Sequence, residues 1–202
     1  MLAAGGSSRM GRPKQLLDFG GAPLLRRAVE TALASDCAPI VVVLGFGAPE
    51  IAHAIEGLQA KVVVNAAWPL GVGTSIRAGL SALQGSHVTG AILALADQPF
   101  VNASHLRRLV ATHYATGKSI VASRYSDTVG VPAFFAPSQF SKLMELPPDR
   151  GCKGVITGNL PELVVVECAP AAFDIDTPAD YSLAVRTRFR SSDRLKSIRS
   201  SG

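Results

Sequence analysis

Short apolar runs alternate with segments of helical periodicity along most of the chain. Residues 40–44, 61–64 and 91–95 are nearly continuous runs of aliphatic side chains. Such runs are typical of strands that are buried on both faces of a parallel sheet. Between them, apolar residues recur three and four positions apart, as they do after Pro23, which indicates amphipathic helices. The alternation predicts right-handed βαβ units and a three-layer αβα fold with a Rossmann-like, mostly parallel sheet.

The remaining elements follow the same pattern with less regularity. Asn102 and Thr74 are residue types that cap helices, so we expect a helix to begin after each,. Beyond Arg124 the sequence is rich in Gly and Pro, which predicts a loop. The other predicted elements are strands at 119–123 and 163–167 and helices at 48–55, at 138–146 and after Pro178.

Three polar segments come directly after predicted strands. They are residues 3–14, 65–75 and 97–99. In a parallel sheet the carboxyl ends of the strands lie at one edge, and α/β proteins bind their ligands there. We therefore expect these three segments to form one site.

The first fourteen residues have the composition of a phosphate-binding loop. Gly5, Gly6 and Gly11 lack a Cβ, so their backbone can approach a ligand closely and can adopt positive φ,. Successive N–H groups of such a loop can converge on an anion, and Arg9 and Lys14 add positive charge. The spacing is neither that of a P-loop nor G-x-G-x-x-G. A polyphosphate is the expected ligand.

Two acidic motifs offer carboxylates to a metal ion. Asp97 follows a strand, and Mg²⁺ prefers one or two carboxylates together with phosphate oxygens,. Asp174 and Asp176 are two residues apart, which places both on one side of an extended segment. Structural interpretations also remain open, with Asp97 as a turn or helix-capping residue and Asp176 or Thr177 as the cap of the last helix.

Length and charge limit the kind of protein that the chain can be. The 202 residues are 48% hydrophobic, which suits one domain with a substantial core, over residues 1–185,. The net charge of +5 comes entirely from residues 186–202, which contain six cations and one acid. The neutral body argues against nucleic acid as a partner, and we expect the basic tail to be disordered.

The composition also predicts a compartment. No apolar run approaches the roughly 20 residues that span a bilayer, and the residues before the first loop lack an apolar h-region, so we expect no signal peptide,. The three cysteines lack C-x-x-C spacing, so we expect reduced thiols rather than a zinc site or disulfides,. These features favour a cytoplasmic protein with no membrane partner.

The segment L-A-A-G-x-S-x-R-M-G-x-P-K at residues 2–14 resembles the signature of the MobA-like nucleotidyltransferase family. The resemblance covers most of residues 2–185 and implies a fold of the nucleotide-diphospho-sugar transferase type. Ala3 and Ala4, together with Gly-Thr-Ser-Ile-Arg at residues 73–77, are similar to the molybdenum cofactor cytidylyltransferase (MocA-type) branch. The guanylyl branch differs at both places.

The resemblance also implies roles for individual residues. Arg9, Lys14 and Asp97 are the implied catalytic residues, and Asp97 and Asp176 are the implied Mg²⁺ ligands. Arg150 and Lys153, although implied to bind the acceptor, are equally well explained as solvated loop cations. The implied nucleotide-binding residues are Leu2, Ala3, Ala4, Gly5, Gly6, Ser7, Lys14, Asn65, Gly71, Thr74, Ser75 and Asp97. The implied acceptor-binding residues are Gln98, Pro99, Pro132, Arg150, Lys153 and Asp174.

The function implied is Mg²⁺-dependent transfer of CMP from CTP to the terminal phosphate of the molybdenum cofactor (molybdopterin), with release of pyrophosphate. A molybdenum hydroxylase-type apo-enzyme would receive the product. Three alternatives remain open: guanylyl transfer from GTP, nucleotidyl transfer to another phosphorylated acceptor, and a non-catalytic carrier or chaperone of molybdenum cofactor. A carrier would not require metal-binding carboxylates, which favours an enzyme.

Overall fold

The computed structural model describes the backbone of residues 1–199 and the side chains of residues 1–188. Strands and helices alternate as predicted from the first residues to residue 125. The strands are β1 (Leu2–Ala3), β2 (Val41–Leu44), β3 (Lys61–Val64), β4 (Ala91–Leu93), β5 (Ile120–Tyr125), β6 (Thr128–Phe135) and β7 (Leu163–Glu167). The helices are α1 (Leu24–Leu33), α2 (Ala48–His53), α3 (Val72–Ser81), α4 (Ala103–Thr116), α5 (Phe140–Met144), α6 (Lys153–Thr157) and α7 (Pro178–Arg199).

These strands form a three-stranded sheet, β3-β2-β1, and a four-stranded sheet, β4-β6-β5-β7, and a parallel bridge between Leu2 and Leu95 joins the two into one mixed layer. On one side β1 pairs in parallel with β2. On the other side, the Leu2 N–H donates to the Ala94 carbonyl, and the Leu2 carbonyl accepts from the Ala96 N–H. Among the described strands, only β6 runs antiparallel to its neighbours. Because β2 and β4 lie on opposite sides of β1, a crevice forms at the carboxyl ends of β1 and β4.

Helices cover both faces of this sheet. Neighbouring residues of β5 belong to different core clusters, since Ile120 packs with α3, α5 and α6 whereas Val121 packs with α1 and α4. All of β2 is buried, as its apolar run predicts. Strand β3 lies at the edge and exposes Val62 and Val64. The predicted three-layer α/β fold is confirmed.

Strand β6 occupies residues that we expected to form a loop, and that prediction was wrong. Gly130 and Pro132 are residue types that usually interrupt strands. The register between β5 and β6 shifts between Ala122, which faces Ala133, and Ser123, which faces Gly130. The extra residues of β6 form a bulge at this shift, and Pro132 lies within it, where a missing N–H is tolerated.

The last helix extends beyond the predicted end of the domain. Helix α7 continues to Arg199, whereas we expected a disordered tail from residue 186. The Arg188 guanidinium lies 5.0 Å from the centroid of the Phe19 ring and donates to the Phe19 carbonyl at 3.1 Å. These contacts attach the helix to the body of the protein beyond residue 185. Residues 200–202 lie outside the described residues, and the domain boundary stays a prediction.

No helix in the described part of the chain is both long enough and apolar enough to cross a bilayer. The expected cytoplasmic location stays a prediction. The cysteines at positions 37, 152 and 168 are free thiols, and the last two are buried.

A buried histidine gives the fold a predicted pH dependence. His105 on α4 lies 2.7 Å from Ser123 Oγ on β5, and burial, together with the charge of Arg108, lowers the His105 pKa to about 4. An unfolded chain protonates histidine near pH 6.5, so acidification from about pH 6.5 to 4 favours unfolding. We expect the free energy of unfolding, measured by urea titration, to fall more steeply over this range in the wild type than in His105→Gln. Equal slopes would contradict this role of His105.

Candidate active site

A cleft of about 350 Å³ lies at the carboxyl ends of β1 and β4. The segments that follow β1, β3 and β4 all contribute to it, so the three polar segments converge as expected. The lining residues are Leu2, Ala3, Ala4, Gly5, Lys14, Gln15, Leu24, Trp68, Gly71, Val72, Ser75, Leu95, Ala96 and Asp97.

Gln15 holds the glycine-rich loop in shape. Its side chain is buried, and Nε2 donates to the carbonyls of Ala3 at 2.8 Å and Gly5 at 2.9 Å. Ser7 Oγ donates to Gln15 Oε1 at 3.3 Å and accepts from the Lys14 N–H at 3.1 Å. Sequence reasoning missed Gln15, because a single polar residue before two leucines gives no sign that it is buried.

The backbone amides of this loop remain available to a ligand. Within the part of the chain that the structure describes, the N–H groups of Gly5, Gly6, Ser7 and Ser8 have no protein acceptor. Ser7 has a φ of 52°, in the left-handed region. A left-handed residue among right-handed or extended ones turns successive N–H groups toward a common point. The loop therefore has the form of an anion-binding nest.

The ammonium group of Lys14 lies between two carboxylates that are distant in sequence. Its Nζ is 2.6 Å from Asp97 Oδ2 and 2.8 Å from Asp176 Oδ1, and Arg9 Nη2 is 2.8 Å from Asp176 Oδ2. Burial disfavours the charged form of Lys14, but the two carboxylates outweigh it and raise the Lys14 pKa. The hydrogen bond from Lys14, with the charges of Lys14 and Arg9, lowers the pKa of Asp176. Lys14 and Asp176 are therefore held in their ionised forms at neutral pH.

One oxygen of this cluster has no partner. Asp97 Oδ1 is buried and makes no hydrogen bond in the described structure. Within the described residues, no group of three or more His, Cys, Asp or Glu side chains is placed to hold a metal ion. Two carboxylates with an unsatisfied oxygen nevertheless fit a hard cation whose remaining ligands come from phosphate and water. Asp97 and Asp176 are thus placed to hold such an ion with a bound polyphosphate.

Asp174 lies at the rim of the same cluster. It is exposed, yet partial desolvation, followed by the negative charge of Asp97, raises its pKa to about 6. The structure therefore places all three predicted carboxylates near one another, with Lys14 between two of them.

Asn65 and Thr74 connect the loop after β3 to α3 instead of lining the cleft. Asn65 Nδ2 donates to the hydroxyls of Thr74 at 2.8 Å and Ser75 at 3.0 Å, and Thr74 Oγ1 donates to the Gly71 carbonyl at 2.7 Å. Helix α3 therefore starts at Val72, with Gly71 as its N-cap, and not after a Thr74 cap as we expected. Of the predicted nucleotide-binding residues, those outside the cleft lining are Gly6, Ser7, Asn65 and Thr74.

A second cavity, of about 310 Å³, lies beside the first. The two share Leu2, Val72 and Leu95 in their linings. The second is largely apolar, and its polar groups include Tyr125 and Lys153, whose Nζ donates to Thr128 Oγ1 at 2.9 Å. Sequence reasoning missed Tyr125 and Thr128, because the segment beyond Arg124 was expected to be a loop and is instead the end of β5 and strand β6.

The other predicted acceptor-binding residues have different environments. Gln98 and Pro132 are buried, and Gln98 Nε2 donates to the Ala171 carbonyl at 3.0 Å. Pro99 lies beside them in the lining of a much smaller cavity. Arg150 is exposed, 3.8 Å from the carboxylate of Asp149. Of this predicted set, Lys153 lines the second cavity.

The nest, the paired carboxylates and the cations define a site for transferring part of a nucleoside triphosphate, and the chain is a nucleotidyltransferase. The family model of the MobA-like NTP transferase domain matches residues 1–163, so the chain belongs to that family. The identification made from the first loop is thus confirmed.

Two curated relatives and one solved structure show how far the similarity extends. Purine catabolism protein PucB of Bacillus subtilis is 29% identical over 92% of this chain and 94% of its own length. Nicotine blue oxidoreductase of Paenarthrobacter nicotinovorans is 38% identical over 56% of this chain, a match that spans 55% of the relative. The crystal structure of Rv0371c from Mycobacterium tuberculosis, in complex with manganese, is 29% identical with a TM-score of 0.69. The match covers 92% of this chain and 95% of the Rv0371c chain.

Gly73, in the first turn of α3, should be intolerant of substitution. A Cβ at this position would collide with the Pro147 carbonyl and lie 2.9 Å from the Arg150 carbonyl. We expect Gly73→Ala to lower the free energy of unfolding by about 1–3 kcal/mol, as overpacking does, in denaturant titrations. Gly154→Ala is the matched control, because Gly154 is also helical and a Cβ there has nothing within 4 Å. Equal stability of the two variants would show that the loop at 147–150 moves freely.

Proposed function

We propose that this nucleotidyltransferase moves CMP from CTP to the terminal phosphate of the molybdenum cofactor, with Mg²⁺ bound and pyrophosphate released. The main support is the position of Lys14 between Asp97 and Asp176, beside a nest of free backbone amides. A site that only bound a neutral or singly charged ligand would not need this concentration of opposed charges. A molybdenum hydroxylase-type partner stays a prediction.

Asp97 and Asp176 would hold the metal ion. The buried, unpartnered Oδ1 of Asp97 supports this assignment, and Rv0371c, a relative, was crystallised with manganese. When bound, Mg²⁺ supplies positive charge to phosphate oxygens and helps to orient them. We propose Mg²⁺ as the ion because two carboxylates plus phosphate oxygens form its preferred ligand set.

The residues of the chain position the reacting groups and offset charge. An oxygen of the acceptor phosphate forms a bond to the α-phosphorus of CTP. The bond from that phosphorus to the bridging oxygen breaks, and pyrophosphate leaves with the electron pair. The amides of the loop, Arg9 and Lys14 would hold the triphosphate and stabilise the charge that develops on the leaving group. The acceptor phosphate is already ionised, so the reaction needs orientation more than a general base.

The two cavities suit two substrates. CTP would occupy the cleft that contains Lys14 and Asp97, and the acceptor would occupy the second cavity, which shares Leu2, Val72 and Leu95 with it. Ala3 and Ala4 support CTP over GTP through the resemblance to the cytidylyltransferase branch. The largely apolar second cavity suits the flat ring system of a pterin.

Pyrophosphate release tests the proposal directly. The purified protein would be incubated with Mg²⁺, molybdenum cofactor and either CTP, GTP, ATP or UTP. Release with CTP alone supports the proposal, and release with GTP alone assigns guanylyl transfer. Release that does not depend on molybdenum cofactor but requires another phosphorylated compound assigns a different acceptor. Cofactor binding without release from any nucleotide supports a carrier.

A redox activity is the second candidate, because the name of one relative, 38% identical over 56% of this chain, is nicotine blue oxidoreductase. The cluster of Lys14, Asp97 and Asp176 favours phosphoryl chemistry, since hydride transfer does not require it. Oxidation of NADH or NADPH with a quinonoid dye as acceptor distinguishes the two. Oxidation of NADH or NADPH in this assay, without pyrophosphate release from any nucleotide, would favour the redox candidate.

Loss of the Asp97 charge should abolish most of the turnover. We expect Asp97→Asn to lower kcat by at least about 10²–10³, which is typical of losing one electrostatic contact in the transition state. Pyrophosphate release measures this, and circular dichroism checks the fold. Asp36→Asn, a change at an exposed surface carboxylate, serves as the control and should behave as the wild type. Near-normal turnover of a folded Asp97→Asn protein would contradict the mechanism.

Lys153 should affect the acceptor and not the nucleotide. We expect Lys153→Met to raise the KM for the molybdenum cofactor about tenfold, the effect of losing one hydrogen bond from a charged group. The KM for CTP should stay unchanged. Lys142→Met is the matched control, because Lys142 is an exposed lysine that bonds to Asn159. An equal change in the KM for the molybdenum cofactor and the KM for CTP would show that Lys153 does not act on the acceptor alone.

A further inference from the structure

Trp68 is the single tryptophan of the chain and the one aromatic side chain among the described residues that line the cleft. Its indole ring contacts the loops after both β1 and β2. A Cβ at Gly45 would lie 2.5 Å from Trp68 Cγ, and a Cβ at Gly6 would lie 3.2 Å from Cη2. The ring thus packs against two glycines, with no room for a side chain at Gly45 and a tight fit for one at Gly6.

A third contact fixes the orientation of the indole. The Phe46 ring meets it edge to face, with centroids 5.9 Å apart and an interplanar angle of 80°. Aromatic pairs favour this arrangement. The ring therefore has a defined position before any ligand binds, and a ligand that contacts it does not have to restrict its rotamers.

The position of Trp68 relative to the charged cluster indicates which part of a nucleotide it would meet. Trp68 follows β3, and Asp97 follows β4, so in the order β3-β2-β1-β4 they approach the loop after β1 from opposite sides. Lys14 and Asp97 mark the phosphate side. Gly71 and Ser75 line the cleft together with Trp68 on the other side.

We infer that Trp68 is a nucleobase-binding residue, whose indole forms an aromatic wall for the base of the bound nucleoside triphosphate. This inference rests on the proposed function, because it requires a nucleotide in the cleft. Every base has an aromatic face, so contact with the indole adds affinity without selecting a base. Selection between cytosine and guanine would then depend on other residues, such as Ala3, Ala4 and Ser75.

Tryptophan fluorescence and calorimetry with two ligands test the inference. The ligands are CTP and inorganic tripolyphosphate, which has the same phosphates but no base, each with Mg²⁺. We expect CTP to change the fluorescence of the wild type and tripolyphosphate to bind with little change. Calorimetry should show that Trp68→Leu weakens CTP binding on the order of tenfold, as loss of one base–aromatic contact does. The affinity for tripolyphosphate should stay the same.

Two further variants separate base contact from loop support. Trp68→Phe keeps an aromatic face and should retain most of the CTP affinity. Phe46→Leu removes the ring that orients the indole but does not itself line the cleft, so it should weaken CTP binding less than Trp68→Leu does and leave tripolyphosphate binding unchanged. Unchanged tripolyphosphate binding by Trp68→Leu also shows that its phosphate loop is intact.

Several outcomes would overturn the inference. Equal loss of CTP and tripolyphosphate affinity in Trp68→Leu, or the same loss in Phe46→Leu, would make Trp68 a support for the loops and not a base-binding residue. Normal CTP affinity in Trp68→Leu, with normal pyrophosphate release, would overturn this inference and leave the proposed function standing. A wild type that binds neither ligand and releases no pyrophosphate would overturn both.

Discussion

The bridge from Lys14 to Asp97 and Asp176 joins three parts of the chain that are distant in sequence. Lys14 is 83 residues from Asp97 and 162 residues from Asp176. Two partly buried carboxylates repel each other unless a cation lies between them. Lys14 is that cation in the described structure, and it holds the end of β4, the first loop and the segment before α7 together. This ammonium group therefore ties the site together, with the Arg9–Asp176 ion pair and the hydrogen bond from the Ile175 N–H to the Asp97 carbonyl beside it.

The strongly apolar segments of the fold were predictable, and the irregular ones were not. The runs at β2 and β4 have no stable place except between two helical layers, so their burial follows from composition. β6 was missed because Gly130 and Pro132 resemble loop residues locally, whereas the bulge that accommodates Pro132 exists only when β5 is paired beside it. Helix α7 also continues past residue 185, and Arg188 on it contacts Phe19, which is far away in the sequence.

The site shows the same division. Charged residues such as Lys14, Asp97 and Asp176 were found because their chemistry is evident in the sequence and the carboxyl ends of parallel strands meet. Gln15 and Trp68 were not found as site residues, because their importance comes from what the fold places against them. The Gln15 side chain donates hydrogen bonds to two carbonyls, and the Trp68 ring packs against two glycines. The Thr74 hydroxyl is of a type that binds ligands, but in the structure it donates a hydrogen bond to the Gly71 carbonyl.

Strand β1 consists of only Leu2 and Ala3, yet it connects the two parts of the sheet. The glycine-rich loop of the candidate site begins at the next residue. A ligand that fixes this loop therefore also opposes separation of the two half-sheets, because both use the same few residues. Binding of a nucleotide would then raise the free energy of unfolding of the whole domain, by an amount that grows with the logarithm of the ratio of ligand concentration to dissociation constant. The ligand would thus stabilise the junction between the two half-sheets as well as the loop that it binds.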